Sequence, residues 1–135
     1  MDDELRLIER FHGHLGPYAI LGHRAGQIAN RVLGADPFAK IATVHTGTRP
    51  PISCFIDGIQ ISSGCTMGKG NIHALDHGEA RAVFSDRSGG RSVEVRLRPE
   101  MTGRIRDAFE GGDQEAFCDW CWRAPEGELF EVVER

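Results

Sequence analysis

The stretch from Pro17 to Gly34 most constrains what this chain can fold into. Proline stands where a helix accepts it, in the first turn, with Gly16 before it as a tolerable cap, and Leu21, Ala25, Ile28 and Val32 then mark one helical face. The segment also carries Ala19, Gly22, Ala25, Gly26 and Ala29, small residues that let a second element come close. A helix of this kind is a packing axis, and the other segments have to be read as what packs on it.

The rest of the chain is a mixture of helical and strand patterns. Leu5, Ile8 and Phe11 recur at helical spacing and predict a short amphipathic helix over 2–11, stopping at His12-Gly13. Phe38 to Thr46 reads as a strand entered from the Asp36-Pro37 turn. Arg49-Pro50-Pro51 must be extended or turned, because a proline excludes the helical region for the residue before it. Ser53 then reads as the N-cap of a helix from Cys54 to about Ser62, and Asn71 to Leu75 as a strand. The alternation of 79–85 and 92–98 around the turn at 86–90 predicts a β-hairpin. Pro99 opens a helix through Phe109, Asp113 caps another to about Trp122, and Leu129 to Val133 closes as an edge strand. These elements do not alternate as a doubly wound sheet would. The expected class is α+β, one domain, an antiparallel sheet with a β-hairpin and helices packed on it. Residues 1–110 would be the core, and 111–135 a helix and short strand belonging to the same domain or to a dimer arm.

Charge and cysteine content narrow the partners. At 135 residues with net charge −4, the chain offers no basic field for nucleic acid or for an anionic membrane surface. No apolar run is long enough to span a bilayer, and the acidic MDDELRLIER start is unlike a signal peptide, so the expected address is cytoplasmic. In such a compartment the four cysteines are read as free thiols, metal ligands or reactive groups rather than bridges.

The chemistry-bearing residues fall in two distant places. His12 and His14 lie in the HGHLG connection between the first two helices, and Cys54 and Cys65 bracket the segment 54–65 that carries Asp57 and Gln60. Two imidazoles and two thiols make a soft four-ligand set suited to zinc. His-x-His in a helix connection serves equally well as capping, and no pair has the spacing of a strong metal motif. Cys54 at a helix start would meet the positive end of the helix dipole and free N–H groups, which lowers a thiol pKa; a small buried hydrophobe is the alternative. GCTMGKGN at 64–71 is not a nucleotide loop, since the glycine spacing is one residue short and Lys69 is followed by Gly70. Its turn and Lys69 remain able to hold a small anionic or carbonyl group. Cys118 and Cys121 form one CxxC without the second pair of a zinc ribbon, which favours packing, with a ligand or redox role as the alternative. Of the remaining histidines, His45 is best placed to face the start of the 54–62 helix.

FHGHLGPYAILGHRAG followed by PPISCFIDGIQISSGCTMGKGNI resembles the formylmethanofuran dehydrogenase E-subunit-like family, in which an FHGH-x-x-P opening precedes a cysteine, aspartate and glutamine block and a GCT-x-GKGN turn. The likeness covers about residues 8–98. It implies an α+β core that dimerises and a metal, usually Zn2+, near the histidine motif and the first cysteine. By matching positions it points to His12, His14, Cys54 and Cys65 as metal ligands, with Asp57, Gln60 and Lys69 nearby. Many members carry a cysteine where this chain has Gly16, and many end in a zinc finger with two CxxC pairs where this chain has one.

The resulting expectation is a cytoplasmic, homodimeric, metal-binding accessory protein of one-carbon metabolism. The resemblance associates it with a molybdenum or tungsten oxidoreductase complex related to methanogenesis. Two other readings stand beside it. One is an enzyme acting on a small anionic substrate, with a metal-bound water or the Cys54 thiolate as nucleophile, Asp57 orienting or acting as base, and Lys69 receiving the anion. The other is a non-catalytic interaction protein whose metal only holds the fold.

Overall fold

The helix over Pro17–Leu33 (α2) is buried along most of its length, as an axis has to be. In the computed structural model, which describes residues 1–135, it lies between a five-stranded sheet and the other helices. The preceding helix, Asp3–His12 (α1), starts where Asp2 accepts a 2.8 Å hydrogen bond from the Glu4 N–H, and it ends at Gly13, whose φ of 102° is left-handed. That turn needs glycine, and it sends the chain from His12 into α2 within a few residues.

The strands are Lys40–Val44 (β1), Ile72–Ala74 (β2), Arg81–Asp86 (β3), Ser92–Leu97 (β4) and Phe130–Glu134 (β5), in the spatial order β2-β1-β3-β4-β5. Every neighbouring pair is antiparallel except β1 with β2, which are parallel, Ala42 standing opposite Ile72. That one parallel pair is possible because the helix Cys54–Ser63 (α3) lies in the crossover between them. Alternate residues of β1, β3 and β4 (Ala42, Val44, Ala82, Phe84, Val93, Val95) are fully buried and join α2 in the core. The fold is α+β with a mostly antiparallel sheet and the expected 81–97 hairpin. No helix is long and apolar enough to cross a membrane.

The C-terminal segment closes onto the same core. Pro99–Gly111 (α4) and Gln114–Arg123 (α5) are followed by a short turn of helix, Glu126–Leu129 (α6), that sequence pattern does not suggest. Cys118, Cys121, Leu129 and Phe130 all belong to the buried cluster. Arg24 of α2 holds the end of α5, donating to the carbonyls of Cys121 (2.8 Å), Trp122 (3.0 Å) and Ala124 (2.8 Å). Carbonyls at a helix C-terminus lack intrahelical partners, and a guanidinium there answers both the hydrogen-bonding need and the negative end of the dipole.

Helices α2 and α3 approach each other more closely than side chains would allow. A Cβ at Gly22 would stand 2.0 Å from the carbonyl oxygen of Phe55, and one at Gly58 would stand 1.9 Å from the carbonyl oxygen of Ala19 and 2.4 Å from the His23 nitrogen. Each helix therefore presents bare backbone to the other. Asn30 adds a side-chain bond across the pair, its Nδ2 donating to the Ser62 carbonyl at 2.8 Å.

Gly58→Ala sets two effects against each other: alanine favours a helix interior by about 1 kcal/mol, while the clash falls on backbone that cannot turn aside. The clash is expected to win, with a net loss of about 2 kcal/mol or more in urea unfolding. Gly103→Ala in α4, whose new Cβ would meet nothing nearer than 3.7 Å, is expected to be neutral or stabilising. Equal effects of the two would contradict the close approach.

His23 generates a pH dependence. It is 1% exposed, its Nδ1 has no partner, and its Nε2 stands 3.4 Å from Glu4 Oε2. Burial pulls the imidazole below its ordinary value more than Glu4 raises it. With the folded value below the unfolded value of about 6.5, this stability is present above pH 6.5 and lost as pH falls through the folded value. Unfolding free energy measured from pH 7.5 down to 5 is expected to fall less steeply in His23→Gln. An unchanged slope would contradict a neutral buried His23.

Candidate functional site

The site begins at the N-terminal end of α3, which the α2 contact sets beside the end of α1. Cys54 and Asp57 stand one helical turn apart and therefore on one side of α3. His12, the last residue of α1, reaches that side: its Nδ1 stands 2.6 Å from Asp57 Oδ2, with the imidazole nearly buried and the carboxylate about one-third exposed. An ionised carboxylate only accepts, so the His12 Nδ1 donates, and the Nε2 is the ring nitrogen left without a protein partner. The His14 ring lies against the His12 ring, centroids 4.9 Å apart and tilted by 44°. A pocket of about 370 Å³ opens here, lined by His12, Cys54 and Asp57 together with Thr48, Pro50 and Ser53.

The start of α3 is not the cap expected from the sequence. Ser53 has helical dihedrals, φ −68° and ψ −13°, and its side chain makes no capping bond. The chain already turns from the prolines, so the N–H groups of Cys54, Phe55 and Ile56 donate to the carbonyls of Pro51, Ile52 and Ser53. With those donors engaged, the expected lowering of the Cys54 thiol is overturned. Burial pushes it up, the Asp57 carboxylate adds to that, and a backbone hydrogen bond opposes them only in part. The thiol is the resting form.

Two expected members of the site lie at the other end of α3. Cys65 is fully buried beyond Gly64, its thiol directed at the Lys40 carbonyl at 3.7 Å. A helix of this length separates it from Cys54 by about 15 Å. Lys69 stands over the Phe38 ring, Nζ 5.5 Å from the centroid. Its loop spends its donors internally: the Lys69 N–H goes to the Thr66 carbonyl, the Gly70 N–H to that of Met67, and the Thr66 N–H to Asn71 Oδ1. Gln60 accepts from the Met67 N–H at 3.2 Å. This end of α3 is a staple, with fully buried Asn71 donating to the carbonyls of Pro37 and Lys40. Lys40, also fully buried, closes the loop after α2 through the carbonyls of Gly34 and Asp36.

The remaining histidines and cysteines lie away from this pocket, His73 exposed on β2. His45 turns to His77 rather than to the start of α3, the two Nδ1 atoms 2.8 Å apart, and Arg81 Nη2 is 3.2 Å from the His45 Nδ1. An arginine can only donate, so the His45 Nδ1 accepts, its one lone pair facing both the Arg81 Nη2 and the His77 Nδ1. Sequence reading missed this pair, which depends on the parallel β1–β2 neighbourhood. It also missed Thr48 and Pro50, for which the adjacent proline turn was the available signal. Burial pushes the thiols of Cys118 and Cys121 up to about 11 and about 12, which fits packing.

For a metal, donor type and arrangement have to be weighed separately. A histidine whose far nitrogen is held by a carboxylate is the usual support for a metal-bound imidazole, and Cys54 lines the same pocket with His14 beside it. The donor chemistry fits a borderline-soft cation such as zinc. No three His, Cys, Asp or Glu side chains stand together as a finished ligand set. His12 and Cys54, with His14, are the residues that would hold the ion, and it would supply Lewis acidity in the pocket.

Residues 11–131 match the family described as "FmdE, Molybdenum formylmethanofuran dehydrogenase operon". A protein of Archaeoglobus fulgidus named as a probable S-adenosyl-L-methionine-binding protein is 31% identical over 111 residues, which are 81% of this chain and 30% of that protein. The chain thus spans less than a third of that relative's length. The crystal structure of a tungsten formylmethanofuran dehydrogenase FmdE-like protein from Syntrophus aciditrophicus superposes with a TM-score of 0.70 at 23% identity, over 97% of this chain and 69% of the other. At that identity the likeness speaks for the fold, and the α+β arrangement is shared. With the match running from the histidine motif to β5, the chain belongs to the FmdE family.

Proposed function

We propose that the protein binds one transition metal ion, zinc by donor type, through His12, His14 and Cys54, as an accessory protein of the molybdenum or tungsten formylmethanofuran dehydrogenase context for which its family is named. One observation carries the reading: Asp57 holds the His12 Nδ1 at 2.6 Å at the pocket that Cys54 lines, so the other ring nitrogen is the one left to coordinate. A thiol held up by burial argues against Cys54 as a free nucleophile. Ligation changes that balance, because a cation repays the deprotonation.

The same reading takes the protein as a cytoplasmic homodimer working beside a molybdenum or tungsten oxidoreductase. Leu7 and Phe11, exposed one turn apart on α1, are the surface that supports a second copy. The Archaeoglobus relative's name speaks of S-adenosyl-L-methionine, but the shared region is under a third of that protein.

Metal content of protein purified without added metal tests the site. His14→Ala and Cys54→Ser are each expected to lose most of the ion, while Cys65→Ser keeps it. Asp57→Asn is expected to keep the fold and bind about 10- to 100-fold more weakly. Unchanged stoichiometry in both His14→Ala and Cys54→Ser would contradict the site.

A further inference from the structure

Away from the metal pocket, a second concavity of about 910 Å³ lies between α1 and α5, with the beginning of α2 as its floor. Leu15 and Ile20 form that floor. The walls are two helix faces, each with its own period. Asp2, Leu5 and Glu9 recur at i, i+3 and i+7 along α1, and Glu115, Asp119 and Trp122 recur at i, i+4 and i+7 along α5. Seven residues of helix run about 10 Å, so the groove has the length of two helical turns on both sides. A groove between two helices laid on a third is the shape that an amphipathic helix fills with anchors at i, i+3/i+4 and i+7.

The rim says which helix. Five carboxylates line the groove, at Asp2, Glu9, Asp113, Glu115 and Asp119, against one guanidinium, Arg123. Arg123 is already paired with Asp119 at 2.9 Å. Asp2 and Asp113 spend an oxygen on capping α1 and α5, but a cap does not neutralise the charge. Acidic walls over an apolar floor repel nucleic acid and anionic lipid, and they disfavour a second copy of a chain whose net charge is −4.

We propose that this groove docks an amphipathic helix of a partner protein that carries lysine or arginine beside its apolar anchors. The apolar residues of the partner seat on Leu5, Leu15 and Trp122, and its cations meet the carboxylates of both walls. The docking is independent of the metal reading, since the groove shares no residue with the pocket at Cys54.

The 135-residue chain tests this with its own reporter, because it contains two tryptophans and Trp120 lies outside the groove, under the Arg104 guanidinium. In a Trp120→Phe background, Trp122 fluorescence is titrated with two synthetic amphipathic peptides of about four turns, equal in their leucines and bearing either lysines or glutamates on the flanks. The lysine peptide is expected to saturate the signal, about tenfold or more tighter than the glutamate peptide and weaker as salt is raised. Glu9→Lys with Glu115→Lys, both exposed, is expected to weaken the lysine peptide about tenfold while lowering the thermal midpoint by no more than a few degrees, since Glu115 lies in the first turn of α5. A Trp122 signal that moves with neither peptide, or equally with both, would overturn the proposal. So would one that changes only with protein concentration, which would give the groove to a second copy.

Discussion

The structure rests on two helices touching backbone to backbone. At Gly22 and Gly58 there is no room for a methyl group, and what a side chain would hit is peptide oxygen and nitrogen. Protein interiors do not absorb such a collision by a small shift, because neighbouring groups are already close-packed. The contact therefore fixes the distance and rotation of α3 against α2. Since α1 joins α2 through only the HGHLG turn, it also fixes where His12 and His14 stand relative to Cys54 and Asp57. The 2.6 Å contact between His12 and Asp57 spans 45 residues of sequence and exists because one helix crossing is tight.

The two ends of α3 then serve different purposes. At its start a small polar pocket gathers an imidazole, a carboxylate and a thiol, with a second imidazole adjacent. At its end Cys65, Lys40 and Asn71 are fully buried and tie the glycine turn to β1 and to the loop after α2. Ligand-type residues at that end are occupied with protein carbonyls and do not face solvent. A motif that reads as one unit in sequence is thus divided by the helix running through it, half toward chemistry and half toward architecture.

Most of the fold was legible in the sequence, because periodicity and breakers are local. Pro17, Gly34, Pro99 and the glycine pair at 111–112 mark helix limits that the structure keeps. What was not legible depends on contacts between distant segments: the parallel pairing of β1 with the three-residue β2, and the His45–His77 pair that this pairing creates. Ser53 misled because a serine before a helix is a cap only if the chain enters extended, and the proline turn brings it in already coiled. The position of Cys65 is different, because helix geometry alone settles it. Once residues 54–62 are taken as a helix, a thiol eleven residues beyond Cys54 must lie at the far end.

Whether the glycine crossing assembles a metal-ready pocket at the start of α3 is met most directly by anomalous X-ray scattering from crystals of the protein loaded with zinc. A peak is expected about 2.0–2.3 Å from His12 Nε2 and Cys54 Sγ, with the His12 Nδ1 still held by Asp57. A peak at Cys65 or at Cys118 and Cys121, with nothing at the start of α3, would contradict it.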